Sequence, residues 1–365
     1  MASGLELTPI EVDAILDYVG HAQVVMLKEA REASFSERSL VGATFVQCDF
    51  TASDFGDADL SGASFVKCTM DRCVFKGALL NETTFVDCGL REAVFEDSAL
   101  ERTQFVSCDA TYADLFSTSS EQTTFVDTNL THVDLQGARM ERCAILDCAL
   151  DELALAESSL SNVMLTKADL RNVDISGVTI DTAVFSEADF SGKDLTGATL
   201  RHFTVHQGRF TSVHLDGADV KGSVFAECDF EGASLRSLNG QTACFTKSRL
   251  DNVDLSGSSL SMANFLGASV KAADFTDCSL DSAVFIEADC RAARFERAQL
   301  PFAEFSHANL AGANMSAATF SNTKMHAARQ EGLLKLGVAG SVIGTDEDRA
   351  IGELYSPDKV SLDFE

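Results

Sequence analysis

Four stretches of the chain decide its fold: residues 44–48 (TFVQC), 64–68 (SFVKC), 84–88 (TFVDC) and 104–108 (QFVSC), which repeat one pattern with a period of 20. Within this long period lies a shorter period of five. Every fifth residue from Phe35 to Met325 gives 59 positions, called core positions here, of which 55 are Phe, Leu, Ile, Val or Met. So regular a period over most of 365 residues indicates a repeat architecture rather than two or three globular domains.

Two residues before each core position lies a second series, called small positions here. It holds Ala, Cys, Ser, Thr, Val or Gly at 54 of 59 places, as at Ala43, Cys48 and Ser53. A helix would repeat every 3.6 residues and a strand every two, so a period of five fits neither element. If both series point inward, the chain turns a corner in every five-residue unit. Four such units then close one square turn, which accounts for the longer period.

Three segments bring the pattern close to a known consensus, A-[D/N]-L-x-x. They are Ala58-Asp59-Leu60-Ser61-Gly62, Ala168-Asp169-Leu170-Arg171-Asn172 and Ala308-Asn309-Leu310-Ala311-Gly312. The sequence here resembles the pentapeptide-repeat family over about four fifths of its length. The resemblance implies an all-β fold, a right-handed quadrilateral β-helix with a stacked Phe and Leu core. The repeat count predicts about 15 coils, roughly 70 Å long at the usual strand spacing.

The two ends lack the repeat and are predicted to cap it, because a solenoid exposes an apolar layer at each end. We expect a capping helix in residues 1–32, spanning 8–31, since Thr8 and Glu11 form a capping-box pattern. The β-helix is predicted over 33–327. Residues 328–365 are predicted as a helical cap and tail. The first short helix is expected at 326–336, overlapping the end of the β-helix, and a second is expected to start at Thr345 or Asp346. Four apolar residues are candidates for contact between the tail and a partner or a second copy: Leu333, Leu334, Leu336 and Phe364.

A few positions break the pattern. Ala110, Ser120 and Gly240 replace large core residues, and Lys193 and Phe203 occupy small positions. Each marks either a bend in the solenoid or a layer in which neighbouring side chains repack.

The charge of the chain is strongly negative, with 56 acidic against 28 basic residues and a net charge of −28. This balance disfavours direct binding to nucleic acid or to an anionic membrane, and favours a protein partner with a basic surface. The charge is uneven: the wall with core positions 35, 55, 75 and onward to 315 has 15 acidic and 4 basic residues. On this acidic wall the candidate binding residues are Asp54, Asp57, Asp114, Asp134, Asp174, Asp194, Asp254 and Asp274. Asp before a core position is expected to act as a backbone acceptor rather than in a catalytic pair.

A second wall is marked by aliphatic side chains. The residue after the core position forms an apolar strip: Val46, Val66, Val86, Val106, Val126 and Leu146. Either the strip reflects the preference of flat sheets for Val, or it is a contact with a partner or in a homodimer.

The sequence predicts no cofactor, no metal and no enzymatic activity. Of the eleven cysteines, nine lie at small positions and Cys290 at a core position, as expected for buried, reduced thiols in a cytoplasmic protein. His202 and His206 have the spacing of a helical zinc pair, with His214 nearby, but a five-residue period places the first two on adjoining walls. Neither a signal peptide at Met1–Thr8 nor an apolar run long enough for a membrane span is recognisable.

Two functions remain open from the sequence. The first is a rigid, non-enzymatic scaffold for protein binding, and the resemblance implies an accessory or effector-type bacterial protein as one instance. The second comes from the resemblance: some family members bind DNA gyrase or topoisomerase IV and protect it from quinolones or peptide antibiotics by mimicking DNA. The predicted rod, residues 33–327, carries a charge of −20. Over roughly 70 Å this is about half the charge density of duplex DNA, which permits mimicry without requiring it.

Overall fold

The computed structural model describes residues 6 to 353, with 350–352 described by their backbone alone. It shows an all-β parallel solenoid of about 17 turns, slightly more than the sequence predicted. Two compact units make up the chain. The first comprises residues 1–191 and 198–209, and the second comprises residues 192–197 and 210–365. The predicted fold class is confirmed.

The first unit begins with three short strands and one helix: β1 (Thr8–Pro9), α1 (Val12–Gly20), β2 (Val25–Met26) and β3 (Lys28–Glu29). The helix predicted over 8–31 is therefore too long. Its capping box is also wrong, because Glu11 is the N-cap and Thr8 pairs with Lys28 in a parallel ladder. Val25 and Met26 pair with Phe45 and Val46, so the register of the repeat extends back before the predicted boundary at residue 33.

The remaining strands of the first unit lie on two walls of the solenoid. One sheet continues from β2 through β4 (Thr44–Val46), β5 (Ser64–Val66), β6 (Thr84–Val86), β7 (Gln104–Val106), β9 (Thr124–Val126), β11 (Ala144–Leu146), β13 (Met164–Thr166), β15 (Val184–Ser186) and β17 (Thr204–His206). The other contains β8 (Ser119–Glu121), β10 (Arg139–Glu141), β12 (Ser159–Ser161), β14 (Thr179–Asp181) and β16 (Thr199–Arg201). Every pairing within these two sheets is parallel and joins residues one full period apart, as Phe45 joins Phe65.

The second unit contains β18 (Val224–Ala226), β19 (Gln299–Pro301), β20 (Thr319–Lys324), β21 (Ala339–Ile343) and α2 (Glu347–Glu353). Between β18 and β19, successive turns are held by isolated parallel bridges with the same period, such as Asp254 to Asp274.

Core positions stack from turn to turn inside each unit. The ring of Phe35 lies 4.8 Å from that of Phe55 at an interplanar angle of 6°, whereas Phe35 and Phe50 on adjacent walls meet edge to face at 81°. The quadrupoles of the rings favour both the stacked and the edge-to-face arrangement. The Phe rings therefore attract one another both along one wall and between adjacent walls. Phe65 and Leu170 are both buried, as the inward orientation of the core positions requires.

The corners are made by residues two places after the core positions, and nearly all of these residues have positive φ. Ala52, with φ of 60°, donates its N–H to the carbonyl of Asp71 in the next turn at 2.9 Å. The left-handed conformation costs an L-residue about 1–2 kcal/mol. The corner persists because its peptide N–H is hydrogen-bonded to the adjacent turn, which offsets this cost.

The irregular positions are filled by repacking. Phe203, at a small position, is buried and meets Phe185 edge to face at 4.9 Å. At Gly240 an added Cβ would lie only 2.8 Å from Cδ2 of Leu260, because neighbouring leucine side chains already occupy the space of a large core residue.

The C-terminal end differs from the prediction. Residues 326–336 do not form a helix: Arg329 pairs with Asn309 and Leu334 with Asn314 in further parallel bridges. The repeat therefore runs past the predicted boundary at 327 and includes β21. The sequence analysis missed this turn because its core positions, Gln330, Lys335 and Gly340, lack the large apolar residues found elsewhere in the repeat. The second predicted helix is present as α2, although it begins at Glu347 rather than at Thr345 or Asp346, and Asp346 accepts the Arg349 N–H at 3.0 Å.

Removing one stacked ring should destabilise the solenoid. Phe65 is fully buried between Phe45 and Phe85, so Phe65→Ala is expected to lower the free energy of unfolding by about 3–5 kcal/mol. Phe302→Ala is the control, because Phe302 is exposed at a corner, and its effect should stay within about 0.5 kcal/mol. Urea unfolding of both variants measures the difference, and equal effects would contradict the stacked core.

Candidate interaction surfaces

The apolar strip exists as an aligned column. Val46, Val66 and Val86 are paired in register, and the same ladder continues through Val106, Val126 and Leu146. All six side chains are half-buried, since the outer face of the sheet exposes each between its neighbours. Adjacent strands lie about 4.8 Å apart, so six strands place the ends of the strip roughly 25 Å from each other.

The strip is one residue longer than the sequence analysis found. Met26 pairs with Val46 and is 48% exposed, so it forms the first position of the column. The long period counted backwards from Val46 would have found it, had residues 8–31 not been assigned to a helix. At the other end the column becomes polar with Thr166 and Ser186. The column on the other side of the core positions is uncharged through seven strands: Thr44, Ser64, Thr84, Gln104, Thr124, Ala144 and Met164.

The aspartates before core positions hold the backbone, as predicted. Asp134 accepts the N–H of Gln136 through Oδ1 at 2.8 Å, and Asn129 makes the equivalent bond to Thr131 at 3.1 Å. This contact satisfies the N–H that follows the core residue, and it explains Asp or Asn in the consensus. The same bond, at 2.8–3.0 Å, is made by Asp54, Asp114, Asp174, Asp194, Asp254 and Asp274.

The acidic wall is less continuous than its residue count suggests. In the first unit, Asp54 is followed in its column by Val74 and Val94, and then Asp114 and Asp134 are adjacent. In the second unit Asp194 is followed by His214 and Ser234, and Asp254 and Asp274 are adjacent. Asp57 is an exposed corner residue outside this column.

Basic side chains from nearby turns neutralise part of the acidic wall. The Arg236 Nε lies 2.6 Å from Oδ2 of Asp254, and Arg294 Nη1 lies 3.1 Å from Oδ2 of Asp274. Partial burial opposes ionisation of Asp254, yet hydrogen bonds from Ser256 and Arg236 hold its pKa below the usual value. At Asp194, hydrogen bonds from Thr196, aided by His214, also lower the pKa. These carboxylates therefore remain ionised at neutral pH and support surface charge rather than acid–base chemistry.

The predicted tail contacts lie on the final turn. Leu333 is half-buried, Leu334 is exposed, and Leu336 is 71% exposed. Phe364 lies outside the described residues. The inward side of this turn is polar: Lys335 donates through Nζ to Oε1 of Gln330 at 2.9 Å, and burial lowers the pKa of Lys335.

All eleven cysteines are free thiols, nine of them buried, with Cys148 and Cys244 half-buried. Buried Cys73 and Cys278 donate to backbone carbonyls of the preceding turn at 3.0 Å. Burial raises the pKa of Cys73 and of Cys278 to about 12, so neither is a thiolate near neutral pH. Buried thiols of this kind are inert.

The histidines noted in the sequence lie apart from any metal-like cluster in the described part of the chain. His202 and His206 are exposed, and Nδ1 of His202 lies 3.4 Å from Oδ1 of Asp181. Among residues 6–353, one group of three brings its ligand atoms together: His307, His326 and Glu353. Sequence reasoning missed it because the two histidines are one residue short of a full period apart, and Glu353 lies outside the repeat.

Within residues 6–353, neither helix has the length and apolarity that crossing a bilayer requires.

Two family models match this chain. The model for a pentapeptide repeat region matches residues 38–115, and that for pentapeptide repeats (8 copies) matches 147–180, 209–239, 248–285, 263–300 and 288–329. Together they cover more than half of the chain. The chain belongs to the pentapeptide-repeat family. No curated protein sequence matches it.

Solved structures of other pentapeptide-repeat proteins are similar at low identity. Trypsin-treated QnrB1, a plasmid-mediated fluoroquinolone resistance protein, is 20% identical, with 50% of this chain and 92% of that chain covered and a TM-score of 0.38. HetL of Nostoc, a protein involved in heterocyst differentiation regulation, is 20% identical over 76% and 98% of the two chains, with a TM-score of 0.27. A protein of the Arabidopsis thaliana thylakoid lumen is 26% identical over 32% and 75%, with a TM-score of 0.16.

The aspartates of this pentapeptide-repeat protein should matter to stability through their oxygen, not their charge. Asp134→Ala removes the acceptor of the Gln136 N–H and is expected to lower the free energy of unfolding by about 1 kcal/mol. Asp134→Asn keeps an acceptor oxygen, as Asn129 does, and should change it by less than about 0.5 kcal/mol. Urea unfolding distinguishes the variants; a loss as large for Asn as for Ala would contradict the backbone role.

The thiols should be protected by folding. At pH 8 a thiol reagent is expected to label only Cys148 and Cys244 rapidly, and all eleven cysteines in urea.

The stability of the protein should also fall at high pH. An unfolded cysteine has a pKa near about 8.5, below the folded value of about 12 for Cys73 and Cys278. Their contribution to stability is therefore complete below about pH 8 and is lost as pH rises towards 12. Unfolding midpoints that do not fall above pH 9 would contradict these raised pKa values.

Proposed function

We propose that this protein is a non-enzymatic scaffold that binds a protein partner through the apolar strip, extended by Met26. The observation that carries the proposal is the unbroken register of seven apolar side chains on one outer face. Six of these side chains are half-buried and Met26 is exposed, and a contiguous apolar patch that water reaches often marks a site of contact with a partner. Because the strip lies on a sheet that cannot rearrange without breaking its ladder, docking would involve little ordering cost.

The neighbouring charges suggest what the partner carries. The exposed corner residues that directly follow strip residues, and so lie at its edge, include three aspartates, Asp87, Asp127 and Asp147, and one lysine, Lys67. A partner that places an apolar ridge on the strip would gain from Lys or Arg beside these carboxylates. We therefore propose a partner with an apolar ridge flanked by basic groups, met in a reducing, cytoplasmic setting that keeps the free thiols reduced.

The surface chemistry favours binding over catalysis. The carboxylates of the acidic wall are engaged as backbone acceptors, and nine of the eleven thiols are buried. The family likewise consists of repeat proteins of a structural kind, generally without enzymatic activity. These two considerations support a role without catalysis.

The alternative, mimicry of DNA towards gyrase or topoisomerase IV, would use the acidic wall. Its support is the adjacency of Asp114 and Asp134 in the first unit and of Asp254 and Asp274 in the second. Arg236 and Arg294 offset the second pair, whereas duplex DNA presents unpaired charge about every 1.7 Å. We therefore place this function second.

Partner binding should depend on the strip and not on the wall. Val66→Lys, Val86→Lys and Val106→Lys combined should weaken capture of the partner from a native lysate at least tenfold, because three cations would be buried against it. The matched control combines Asp114→Asn, Asp134→Asn and Asp174→Asn, which removes three charges and keeps the backbone acceptors. The strip complex should persist between 50 and 500 mM salt.

Three outcomes separate the functions. A complex lost with the Asn variant and with salt, but kept by the Lys variant, contradicts the strip. Inhibition or protection of gyrase supercoiling that the Asn variant loses would establish DNA mimicry instead. A wild-type dimer that becomes monomeric in the Lys variant, measured by light scattering, would identify the occupant as a second copy.

A further inference from the structure

Three potential metal ligands converge in the second unit, among residues that neither the apolar strip nor the acidic column includes. The Nε2 atoms of His307 and His326 lie 3.2 Å and 3.1 Å from the same oxygen, Oε2 of Glu353. All three ligand atoms lie within 4.8 Å of one another. The two histidines belong to successive turns, and the backbone N–H of His307 donates to the backbone carbonyl of His326 at 2.8 Å. Glu353 is the last residue of α2.

The spacing of these atoms suits a small transition-metal ion. Zinc binds imidazole nitrogen and carboxylate oxygen at about 2.0–2.2 Å, so two ligands of a tetrahedral zinc lie roughly 3.3 Å apart. The two nitrogen–oxygen separations are already within about 0.2 Å of that value. The two nitrogens lie within 4.8 Å of each other, so the exposed His307 ring would move by at most about 1.5 Å to bring them to that separation. Two imidazoles with one carboxylate favour zinc, cobalt, nickel or copper over calcium or magnesium.

The surroundings also support a metal site. Arg349 donates from Nε to Oε1 of Glu353 at 2.7 Å, which orients the carboxylate and leaves Oε2 facing the histidines. Hydrogen bonds of this kind to a ligating carboxylate are characteristic of metal centres. The side chain of His326 is only 5% exposed, whereas those of His307 and Glu353 are 36% and 35% exposed, so an ion can reach the site from solvent.

One hydrogen bond sets a condition on binding. Nδ1 of His326 accepts the N–H of Asp346 at 3.1 Å, so a neutral His326 carries its proton on Nε2 and donates it towards Glu353. An ion on Nε2 requires that proton to move to Nδ1, and the Asp346 N–H must then turn away. Metal binding is therefore coupled to a movement at the start of α2, which makes the site weaker than a fully preformed one.

We propose that His307, His326 and Glu353 bind one divalent transition-metal ion of the zinc type, which fastens α2 to the last turns of the solenoid. The three protein ligands leave a fourth position for water. Without the ion, the same groups form a hydrogen-bonded clasp. The ion would strengthen this contact by replacing two hydrogen bonds with three coordinate bonds.

The test uses the untagged full chain and zinc chloride in isothermal titration calorimetry. His307→Asn should weaken the site at least tenfold while tolerating the positive φ of residue 307, and Glu353→Gln should do the same while keeping a hydrogen-bonding group. The matched controls are His202→Asn, another exposed corner histidine, and Glu347→Gln in the first turn of α2. Both should bind as the wild type does, and any zinc bound by cysteines is common to all five proteins.

Cobalt provides an independent readout. Cobalt(II) in a site with two histidines and one carboxylate should give visible absorption bands that His307→Asn and Glu353→Gln lose and the controls retain. The proposal is overturned if the wild type takes up no zinc at about 100 μM, since a structural site should saturate well below that concentration. It is also overturned if His307→Asn and Glu353→Gln bind zinc as tightly as the wild type. In either case the cluster is a hydrogen-bonded clasp only.

Discussion

The fold depends on the pairing of each turn's peptide groups with those of the next. The N–H of Phe55 donates to the Val74 carbonyl at 2.7 Å, and the N–H of the corner residue Asp57 donates to the Lys76 carbonyl at 2.9 Å. The offset between donor and acceptor is the same in both bonds, so each turn must have the same length as the one after it. The left-handed corners, unfavourable in isolation, become favourable only in this stack. The chain must therefore keep a strict period of five residues.

This constraint also shapes the surfaces. Because side chains one full period apart are stacked, a column in the sequence becomes a column in space, as in the strip from Met26 to Leu146. The same constraint gives the acidic residues two roles. Asp134 carries surface charge, but its Oδ1 also binds the Gln136 N–H, so part of the acidity of the chain follows from its backbone chemistry. The high negative charge of this chain is therefore weak support for mimicry of DNA.

The repetitive part of the molecule could be predicted because one local rule recurs. Core residues such as Phe65 and Leu170, the alignment of Val46 with Val66, and the acceptor role of Asp134 all follow from the period of five. The ends could not be predicted in the same way. Val25 and Met26 form a strand in register although the segment around them also has helical spacing.

At the C-terminus, polar residues at the core positions conceal the last turn, since an end layer faces solvent and no longer requires apolar side chains. Contacts that depart from the repeat were also invisible from the sequence. Arg236 reaches Asp254 across 18 residues, an offset that also joins Arg31 to Asp49 and Asn129 to Thr111 but not every such pair of positions, and His307 meets His326 across 19. Long side chains choose such partners by reach and rotamer, which the backbone rule does not fix.

The most direct test of this account compares two deletions by urea unfolding monitored by circular dichroism. Removing residues 84–103 takes out one whole turn and joins Thr83 to Gln104, the equivalent of Thr84. Removing Asp87 alone puts every later residue out of phase with the turns before it. The account predicts that the whole-turn deletion keeps cooperative unfolding and most of the stability, whereas the single deletion lowers the unfolding midpoint much further. A single deletion tolerated as well as the whole turn would contradict it.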